Sequence, residues 1–297
     1  MLPDTHARLA ARPDRKVAAV IVTYRPDLAM VERIVRRLVG QCAIVVADNS
    51  PDQADADAVS TLVEGLGAGY AWMGGNAGIG AAQNQAIARA WDGGCDAVLL
   101  LDDDSLPPGD IVAQLVDCQS RAGPDAVVGA NALNEEGHEI SNARSIPGVL
   151  PRCRDLMSSG TLISKPIFDK VGWFDEGLFV DGVDFDWGWR ARRMGFELFL
   201  CRSTAIVHRL GQGRVAGAGI PSPVRHYFQY RNMIRLMGRP HTPWRWRFEQ
   251  FIKLPSKVAL ILLFMPQRGL RLRHAIAGIA DGLRGRHGPH PAAGARL

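Results

Sequence analysis

Three consecutive aspartates give the clearest chemical signal of the sequence. Asp102, Asp103 and Asp104 follow residues 97–101, an apolar run that is typical of a buried strand. Adjacent carboxylates repel one another, and burying them costs free energy unless a cation neutralises their charge. The triplet therefore predicts a divalent metal ion held by oxygen ligands. A solvated acidic turn before a helix that begins near Pro107-Pro108 is the alternative.

Polar residues also end two earlier predicted strands. Thr23 and Tyr24 follow the first strand, and Asp48 ends the second. Because ligands of open α/β sheets bind at the carboxyl ends of strands, these groups would meet the triplet in one crevice if the strands are neighbours. Asp48 would then accept a hydrogen bond from the imide N–H of a uracil or thymine ring, with Thr23 and Tyr24 lining the pocket. An Asx turn or a helix cap would also explain Asp48.

A glycine-rich segment, residues 74–80, opens the next predicted helix and resembles a loop that cradles phosphate. It does not fit G-x-G-x-x-G in register, which weakens the case for a dinucleotide fold. Asn76 and Asn84 lie about two helical turns apart and would face the same site. As plain turn and helix-surface residues they would need no function.

A second acidic cluster begins the helix predicted to run to about residue 194. The positive end of that helix favours the carboxylates of Asp181, Asp184 and Asp186. Asp186 and Arg190 are spaced i,i+4, so we expect them to pair and Asp186 to be structural. Asp184 remains as the carboxylate that is available for chemistry, with a helix N-cap as the alternative.

His208 follows the short apolar run at residues 205–207. A single histidine after a strand is usually a surface or core group. Close to the aspartates, however, it would serve as a third metal ligand.

Strand and helix patterns alternate four times, which predicts a doubly wound, parallel α/β sheet. The predicted strands are residues 17–22, 43–47, 70–72 and 97–101, and the predicted helices are residues 28–38, preceded by Asp27, about 54–66 and about 80–91. A helix at residues 108–120 and a strand at 125–130 extend the pattern. Residues 135–154 resemble a loop or hairpin, and residues 156–164 another strand.

The 297 residues carry a net charge of +5 that is unevenly distributed. Residues 1–201 contain 18 basic and 28 acidic side chains, whereas residues 202–297 contain 17 basic and 2 acidic ones. A basic segment that lacks acids indicates a phosphate-rich partner, either nucleic acid or an anionic membrane.

The five scattered cysteines include no Cys-x-x-Cys pair, which argues for a reducing cytosol and against a disulfide framework or a zinc site. Residues 1–16 lack the apolar core of a signal peptide. The most apolar run, Val258–Met265, is far shorter than the ~20 residues that span a bilayer. Because aromatic and basic residues flank this run, it would lie in the headgroup layer of a membrane; packing on the catalytic domain or on a second subunit is the alternative.

Together these motifs resemble the family 2 inverting glycosyltransferases of the GT-A fold. The triplet and the sequence motif Phe-Val-Asp-Gly-Val-Asp are most similar to those of bacterial rhamnosyltransferases that use dTDP-L-rhamnose. One difference is Val183, because many relatives have a glutamate directly before the aspartate that acts as the catalytic base. The matching motifs are residues 20–24, 46–50, 75–78 with Asn84, 101–105, 159–161, 172–176, 181–190 with His208, and 227–232.

The resemblance divides the chain into a flexible N-terminus (1–16), a GT-A domain with a mostly parallel sheet (17–235), a basic amphipathic helical extension (236–283) and a disordered tail (284–297). It also implies a role for each motif residue. Asp184 would be the catalytic base, and Asp102, Asp104 and His208 would hold Mg²⁺ or Mn²⁺. The nucleotide sugar would contact Thr23, Tyr24, Asp48, Asn76, Asn84, Asp102 and Asp103, and the acceptor would contact Ser159, Gly160 and Trp187.

These residues predict a sugar transferase that acts on a lipid-linked or polysaccharide acceptor of the cell surface, such as lipopolysaccharide. It would bind the inner face of the plasma membrane peripherally, and both a monomer and a homo-oligomer remain open. Its donor would be dTDP-rhamnose, with a UDP-sugar as the alternative. Two other classes remain open at this point: a nicotinamide-dependent oxidoreductase, suggested by the glycine loop, and a nucleic-acid-binding protein that uses Arg245, Arg247, Arg271 and Arg273.

Overall fold

A computed structural model describes residues 15–134, 136–139, 150–208, 214–215 and 218–290. The strands are β1 (Val17–Thr23), β2 (Ala43–Asp48), β3 (Gly69–Trp72), β4 (Ala97–Asp102), β5 (Ser105–Leu106), β6 (Ala126–Leu133), β7 (Thr161–Ser164), β8 (Glu197–His208), β9 (Arg214–Val215) and β10 (Ala218–Gly219). The helices are α1 (Leu28–Leu38), α2 (Gln53–Gly65), α3 (Ile79–Asp92), α4 (Ile111–Ala122), α5 (Lys165–Val171), α6 (Val183–Arg193), α7 (Pro223–Met237), α8 (Trp244–Phe264) and α9 (Arg268–Leu283).

The first eight strands form one sheet in the order β3-β2-β1-β4-β7-β6-β8-β5. Strands β3, β2, β1 and β4 are parallel, as their alternation with helices predicted. β7 lies antiparallel between β4 and β6, and β5 is antiparallel to β8. The mostly parallel α/β sheet is therefore confirmed, with β5 and β7 as antiparallel exceptions.

The two central strands are apolar on both faces because helices cover both sides of the sheet. Successive side chains of a strand point to opposite faces. In β1, Ala19 and Ile21 accordingly pack on one face and Ala18 and Val20 on the other, and all four are fully buried. This continuous burial explains why β1 and β4 read as unbroken apolar runs that end at a polar residue.

The cysteine pattern argued against disulfide bonds, and this prediction is wrong for one pair. Cys118 of α4 and Cys201 of β8 form a disulfide. α4 packs on β8 and brings the two Cα atoms to 6.0 Å, although the residues are 83 positions apart. No sequence spacing signals such a contact. The other three cysteines are free thiols, and burial raises the pKa of both Cys42 and Cys153 to about 11.

The predicted boundary at residue 235 falls in the last turn of α7 (Pro223–Met237), a helix that packs tightly against α9. α9 lies along α7, and a Cβ atom at Gly282 would be 2.8 Å from the Arg231 carbonyl oxygen. The chain beyond α9 continues this packing, because the Gly288 N–H donates to the Gly177 carbonyl at 3.0 Å. The prediction of a disordered tail is therefore wrong for residues 284–290, and residues 291–297 lie outside the described part.

Two further predictions concern the N-terminal residues 1–16 and the apolar run Val258–Met265. Residues 1–14 of the predicted flexible N-terminus lie outside the described part, and the Lys16 N–H donates to the Asp96 carboxylate at 3.2 Å. Among the described helices, none is both long enough and apolar enough to cross a bilayer.

Candidate active site

Three polar strand ends meet at one edge of the sheet. In the β1–β2 ladder Thr23 pairs with Asp48, and in the β1–β4 ladder Val22 pairs with Asp102. The strands are direct neighbours, so the crevice that the sequence predicted on this condition exists. It is the carboxyl-end crevice at which open α/β sheets bind their ligands.

Asp48 lies beneath the surface of this crevice and is fully buried. Its carboxylate accepts hydrogen bonds from the Thr23 hydroxyl at 2.8 Å, from the Ser50 N–H at 3.0 Å and from the Tyr70 hydroxyl at 3.0 Å. The bond from Ser50 is an Asx turn, the structural alternative for this residue. Asp48 and Thr23 therefore fix the turn after β2 in this structure, mainly through Asp48 Oδ1, while Oδ2 accepts from Tyr70.

Tyr70 was missed by the sequence analysis because it lies on β3, 22 residues from the carboxylate it contacts. Burial and the Asp48 charge raise the pKa of its hydroxyl, so Tyr70 remains a donor to Asp48. The hydroxyl also donates to the Ala56 carbonyl at 3.0 Å, which ties α2 to the crevice. An aromatic residue in a short strand is so common that nothing in the pattern marks it.

The aspartate triplet lies at the end of β4 with its members turned to different partners. Asp103 accepts a hydrogen bond from the Tyr24 N–H at 3.0 Å, which joins the ends of β1 and β4. Burial raises the pKa of Asp103 to about 7. Burial also raises the pKa of Asp102 to about 8, and repulsion from Asp104, Asp103 and Asp184 adds to this effect. Two of the three carboxyls are thus harder to ionise than a free aspartate.

The carboxyls of Asp102 and Asp104 suit a hard divalent cation, because each provides oxygen ligands and both repel one another without one. The β5–β8 ladder places the backbone of His208 opposite Ser105, next to Asp104. The His208 side chain lies outside the described part of the structure. Among the described side chains, no group of three or more His, Cys, Asp and Glu is arranged to hold a metal ion.

Asp184 lies in the first turn of α6, which begins after Gly182 in a left-handed conformation with a φ of +88°. Its carboxylate accepts from the Phe185 N–H at 2.9 Å. Burial raises the pKa of Asp184 to about 6, and the nearby charge of Asp181 acts in the same direction. A carboxyl with a pKa close to neutrality suits general base catalysis.

Asp186, one turn further along α6, is structural as predicted. Its carboxylate is 1% exposed and lies 3.0 Å from Arg190 Nε, the i,i+4 partner. Arg239 and His241, from the segment between α7 and α8, bind the other oxygen. The buried carboxylate therefore connects α6 to the C-terminal helices.

A cation that the sequence analysis missed faces the aspartates. Arg225 of α7 makes a bidentate ion pair with Asp181, with nitrogen–oxygen distances of 2.8 to 3.2 Å. Its charge lowers the pKa of Asp102, and Asp102 and Asp104 in turn raise the pKa of Arg225. Because Asp181 and Arg225 are 44 residues apart, no local spacing predicts their contact.

The turn that leads to Asp184 is held by α7. Asn232 is buried, and its Nδ2 donates to the carbonyls of Leu178, Val180 and Asp181 at 2.8, 2.5 and 2.8 Å. Phe179 and Asp181 have φ angles of +65° and +61°, which are unfavourable for residues other than glycine. Asn232 thus holds this strained turn in place and, with it, the start of α6.

Replacing Asn232 by Ala is expected to lower the free energy of unfolding by about 2–4 kcal/mol, because the Val180 and Asp181 carbonyls lose their buried donor while the Leu178 carbonyl keeps only Arg231. Gln229→Ala, on the same helix at an exposed position, is the matched control. Urea denaturation of both variants measures the difference. Equal stability of the two variants would mean that Asn232 does not support the turn.

Two further predicted donor-site residues have local partners. The Asn76 side chain accepts from the Gly78 N–H at 3.1 Å, which makes it a turn residue. Asn84 is buried, donates to the Phe174 carbonyl at 3.1 Å and accepts from the Phe174 N–H at 3.0 Å. The Asn84 amide thus joins α3 to the segment before α6, and a contact of Asn84 with the nucleotide sugar stays a prediction.

The three predicted acceptor residues have different positions. The Ser159 hydroxyl accepts from the Asp102 N–H at 3.1 Å, and Gly160 has a φ of +82°, so both lie beside the triplet. Trp187 is 3% exposed, and its ring packs against Phe168 and Phe174. It reaches Asp184 only across an internal cavity of about 20 Å³, which has no space for a substrate. A direct contact of Trp187 with the acceptor is therefore wrong, because the residue belongs to the core.

Comparison with known proteins assigns this crevice to a class of enzyme. Residues 18–157 match the family model described as Glycosyl transferase family 2. The protein dTDP-rhamnosyl transferase RfbF of Shigella flexneri is 27% identical over 291 residues, which cover 91% of this chain and 96% of that protein.

Two solved structures share the fold. S. aureus TarS in complex with UDP-GlcNAc matches with a TM-score of 0.60 and 14% identity over 91% of this chain and 81% of that one. The mannosyltransferase PcManGT from Pyrobaculum calidifontis, in complex with GDP-Man and Mn²⁺, matches with a TM-score of 0.56 and 15% identity over 96% and 79%.

The fold and the crevice define a glycosyltransferase of the GT-A type that transfers a sugar from a nucleotide sugar. Residues 18–157 form a family 2 glycosyltransferase domain, and the similarity to a rhamnosyltransferase over most of the chain supports the same activity. The family resemblance predicted from the motifs is thereby confirmed. The oxidoreductase and nucleic-acid-binding interpretations are superseded by this assignment.

Proposed function

We propose that the enzyme transfers L-rhamnose from dTDP-L-rhamnose, with inversion, to a lipid-linked acceptor of cell-surface glycan synthesis, and that it requires Mg²⁺ or Mn²⁺. Support for rhamnose comes from the similarity to RfbF over most of both chains. The observation that carries the proposal is the position of Asp184, whose charge acts on Asp102 at the end of β4. A candidate base thus lies within electrostatic reach of the candidate diphosphate site.

In the proposed reaction Asp184 accepts the proton of the acceptor hydroxyl, while the hydroxyl oxygen attacks the anomeric carbon from the face opposite the leaving group. Asp102 and Asp104 hold the metal ion, which when bound neutralises charge on the departing nucleoside diphosphate. Arg225, already close to both aspartates, adds positive charge at the same place. The Ser159 hydroxyl positions Asp102 by accepting a hydrogen bond from the Asp102 backbone N–H.

Thermal-shift measurements test the donor. A ligand that binds the native state raises its apparent stability, so dTDP-rhamnose with Mn²⁺ is expected to raise the melting temperature more than any UDP-sugar. The same series with EDTA tests the metal requirement. A larger shift from a UDP-sugar would reject rhamnose, and an equal shift with EDTA would reject the metal site.

The pH dependence follows from the raised pKa of Asp184. The base must be ionised, so we expect kcat/KM to be constant above pH about 6 and to fall about tenfold per pH unit below it. Initial-rate measurements between about pH 4.5 and about pH 8.5 provide the profile, because this range brackets the pKa. A profile that stays flat down to pH about 4.5 would show that Asp184 is not the base.

The outer face of α8 supports the proposed position at an anionic membrane surface. One residue of the apolar run, Ile261, packs inward, as the alternative interpretation predicted. It is 1% exposed and lies in a buried cluster with Tyr230 and Met233 of α7. The outer side chains, each at least 59% exposed, are Trp244, Phe248, Phe251, Leu263 and Phe264. Basic residues between them, such as Arg245 and Lys253, match anionic headgroups.

Replacing both Phe251 and Phe264 by Ser is expected to weaken binding to anionic vesicles about tenfold or more, because two aromatic side chains no longer enter the headgroup layer. Val39→Ser, an exposed apolar residue of the catalytic domain, is the control. Vesicle flotation at low and high salt measures the binding. If the unmodified protein does not float with anionic vesicles at low salt, the membrane proposal is wrong.

A further inference from the structure

A cavity of about 480 Å³ lies between α7, α8 and the turn before α6. Its volume falls within the range of about 300–1,000 Å³ that is usual for ligand sites. Most of its lining is apolar and comes from side chains such as Phe185, Met233, Leu260 and Met265. Neither the nucleotide sugar nor the metal ion of the proposed reaction needs this space.

One end of the cavity reaches the reaction centre. Asp181 and Gly182 form part of its wall, and the turn they belong to carries Asp184 two residues further on. Asn232, which holds this turn, lines the cavity as well. The cavity is therefore on the base's side of the site, where the acceptor must approach.

The polar part of the lining carries positive charge. Lys257 of α8 lines the cavity, and its Nζ donates to Gln250 Oε1 at 2.6 Å. His226 and Gln229 of α7 add further donors. An apolar space with a cationic group at its wall is complementary to a hydrocarbon chain that carries a phosphate.

We infer that the cavity binds the hydrocarbon chain and phosphate of the lipid-linked acceptor, with Lys257 on the phosphate and the chain between α7 and α8. The inference rests on the proposed function, because it supplies the place for the lipid part of that acceptor. Helix α8 carries the exposed apolar side chains and also lines the cavity. A hydrocarbon chain can therefore pass along α8 from a membrane into the cavity.

Isothermal titration of the full chain with dodecyl phosphate tests the site. Leu260→Trp fills the cavity and is expected to weaken binding about tenfold or more. Leu283→Trp introduces the same change at a side chain that is 75% exposed at the end of α9, and we expect it to bind as the unmodified protein does. Equal affinity of the Leu260 and Leu283 variants would overturn the inference.

Two further measurements keep the result unambiguous. Met265→Trp fills the cavity from another position, so a folding defect of one variant does not decide the outcome, and circular dichroism checks both. Lys257→Gln is expected to weaken dodecyl phosphate binding but not dodecanol binding. Inorganic phosphate that competes as well as dodecyl phosphate would show that the chain is not bound, which also overturns the inference.

The proposed function is tested separately on the unmodified protein by titration with dTDP-rhamnose and Mn²⁺. If that donor does not bind while dodecyl phosphate does, the proposed function fails and the cavity site remains. If the donor binds and filling the cavity has no effect on dodecyl phosphate, the cavity inference alone fails.

Discussion

Replacing Asp184 by Asn is expected to lower kcat about 10²–10⁴-fold while the affinity for dTDP-rhamnose remains nearly unchanged. The amide keeps the size of the carboxyl group but cannot accept the proton of the acceptor hydroxyl. The proposed donor site lies at the ends of β1, β2 and β4, and the change replaces none of its residues. Steady-state kinetics together with titration of the donor separate chemistry from binding.

The same variant has a stability signature. The pKa of Asp184 is about 6 in the folded protein and 3.8 in the unfolded reference, so its contribution to stability is fully present below pH 3.8 and is lost as the pH rises through about 6. At pH 8 the neutral amide should therefore raise the melting temperature. Asp181→Asn, which removes a charge but also breaks the Arg225 ion pair, is expected to lower the melting temperature instead. Near-normal turnover of the Asp184 variant would exclude it as the base.

Replacing Asp104 by Asn is expected to abolish metal-dependent nucleotide binding without unfolding the protein, because the change removes a charged ligand and retains the volume. Titration of dTDP with and without Mn²⁺ measures the effect. The loss should appear only in the presence of the metal ion.

Asp103→Asn is the matched control within the triplet, and we expect a milder loss. Its side-chain oxygen can still accept the hydrogen bond from the Tyr24 N–H. Full metal-dependent binding by the Asp104 variant would place the metal site elsewhere. Equal losses in the two variants would mean that the triplet acts through its total charge.

Local patterns predicted the parts of the molecule that depend on local physics. The alternation of apolar strands and amphipathic helices was sufficient to predict that β1, β2, β3 and β4 are parallel, because parallel strands need crossover helices, whereas their order in the sheet came from the structure. The pairing of Asp186 with Arg190 followed from the geometry of one helical turn. Helix α1 has the bounds that its N-cap, Asp27, indicated.

Contacts across the fold could not be predicted from the same patterns. Arg225 reaches Asp181, Tyr70 reaches Asp48, and Cys118 reaches Cys201 only because the sheet and its helices bring distant segments together. Trp187 was assigned by its place in a motif, whereas the rotation of α6 points it into the core. The antiparallel direction of β7 depends on the path of the chain before it.

The close contact of Gly282 with α7 limits how this enzyme could be recombined with its relatives. A chimera joined near residue 235 would pair α7 of one parent with α9 of the other. Even a single methyl group at position 282 would separate those helices. Acceptor preference is therefore best exchanged by transplanting the whole span from α7 to residue 290 as one unit, together with the turn that Asn232 holds.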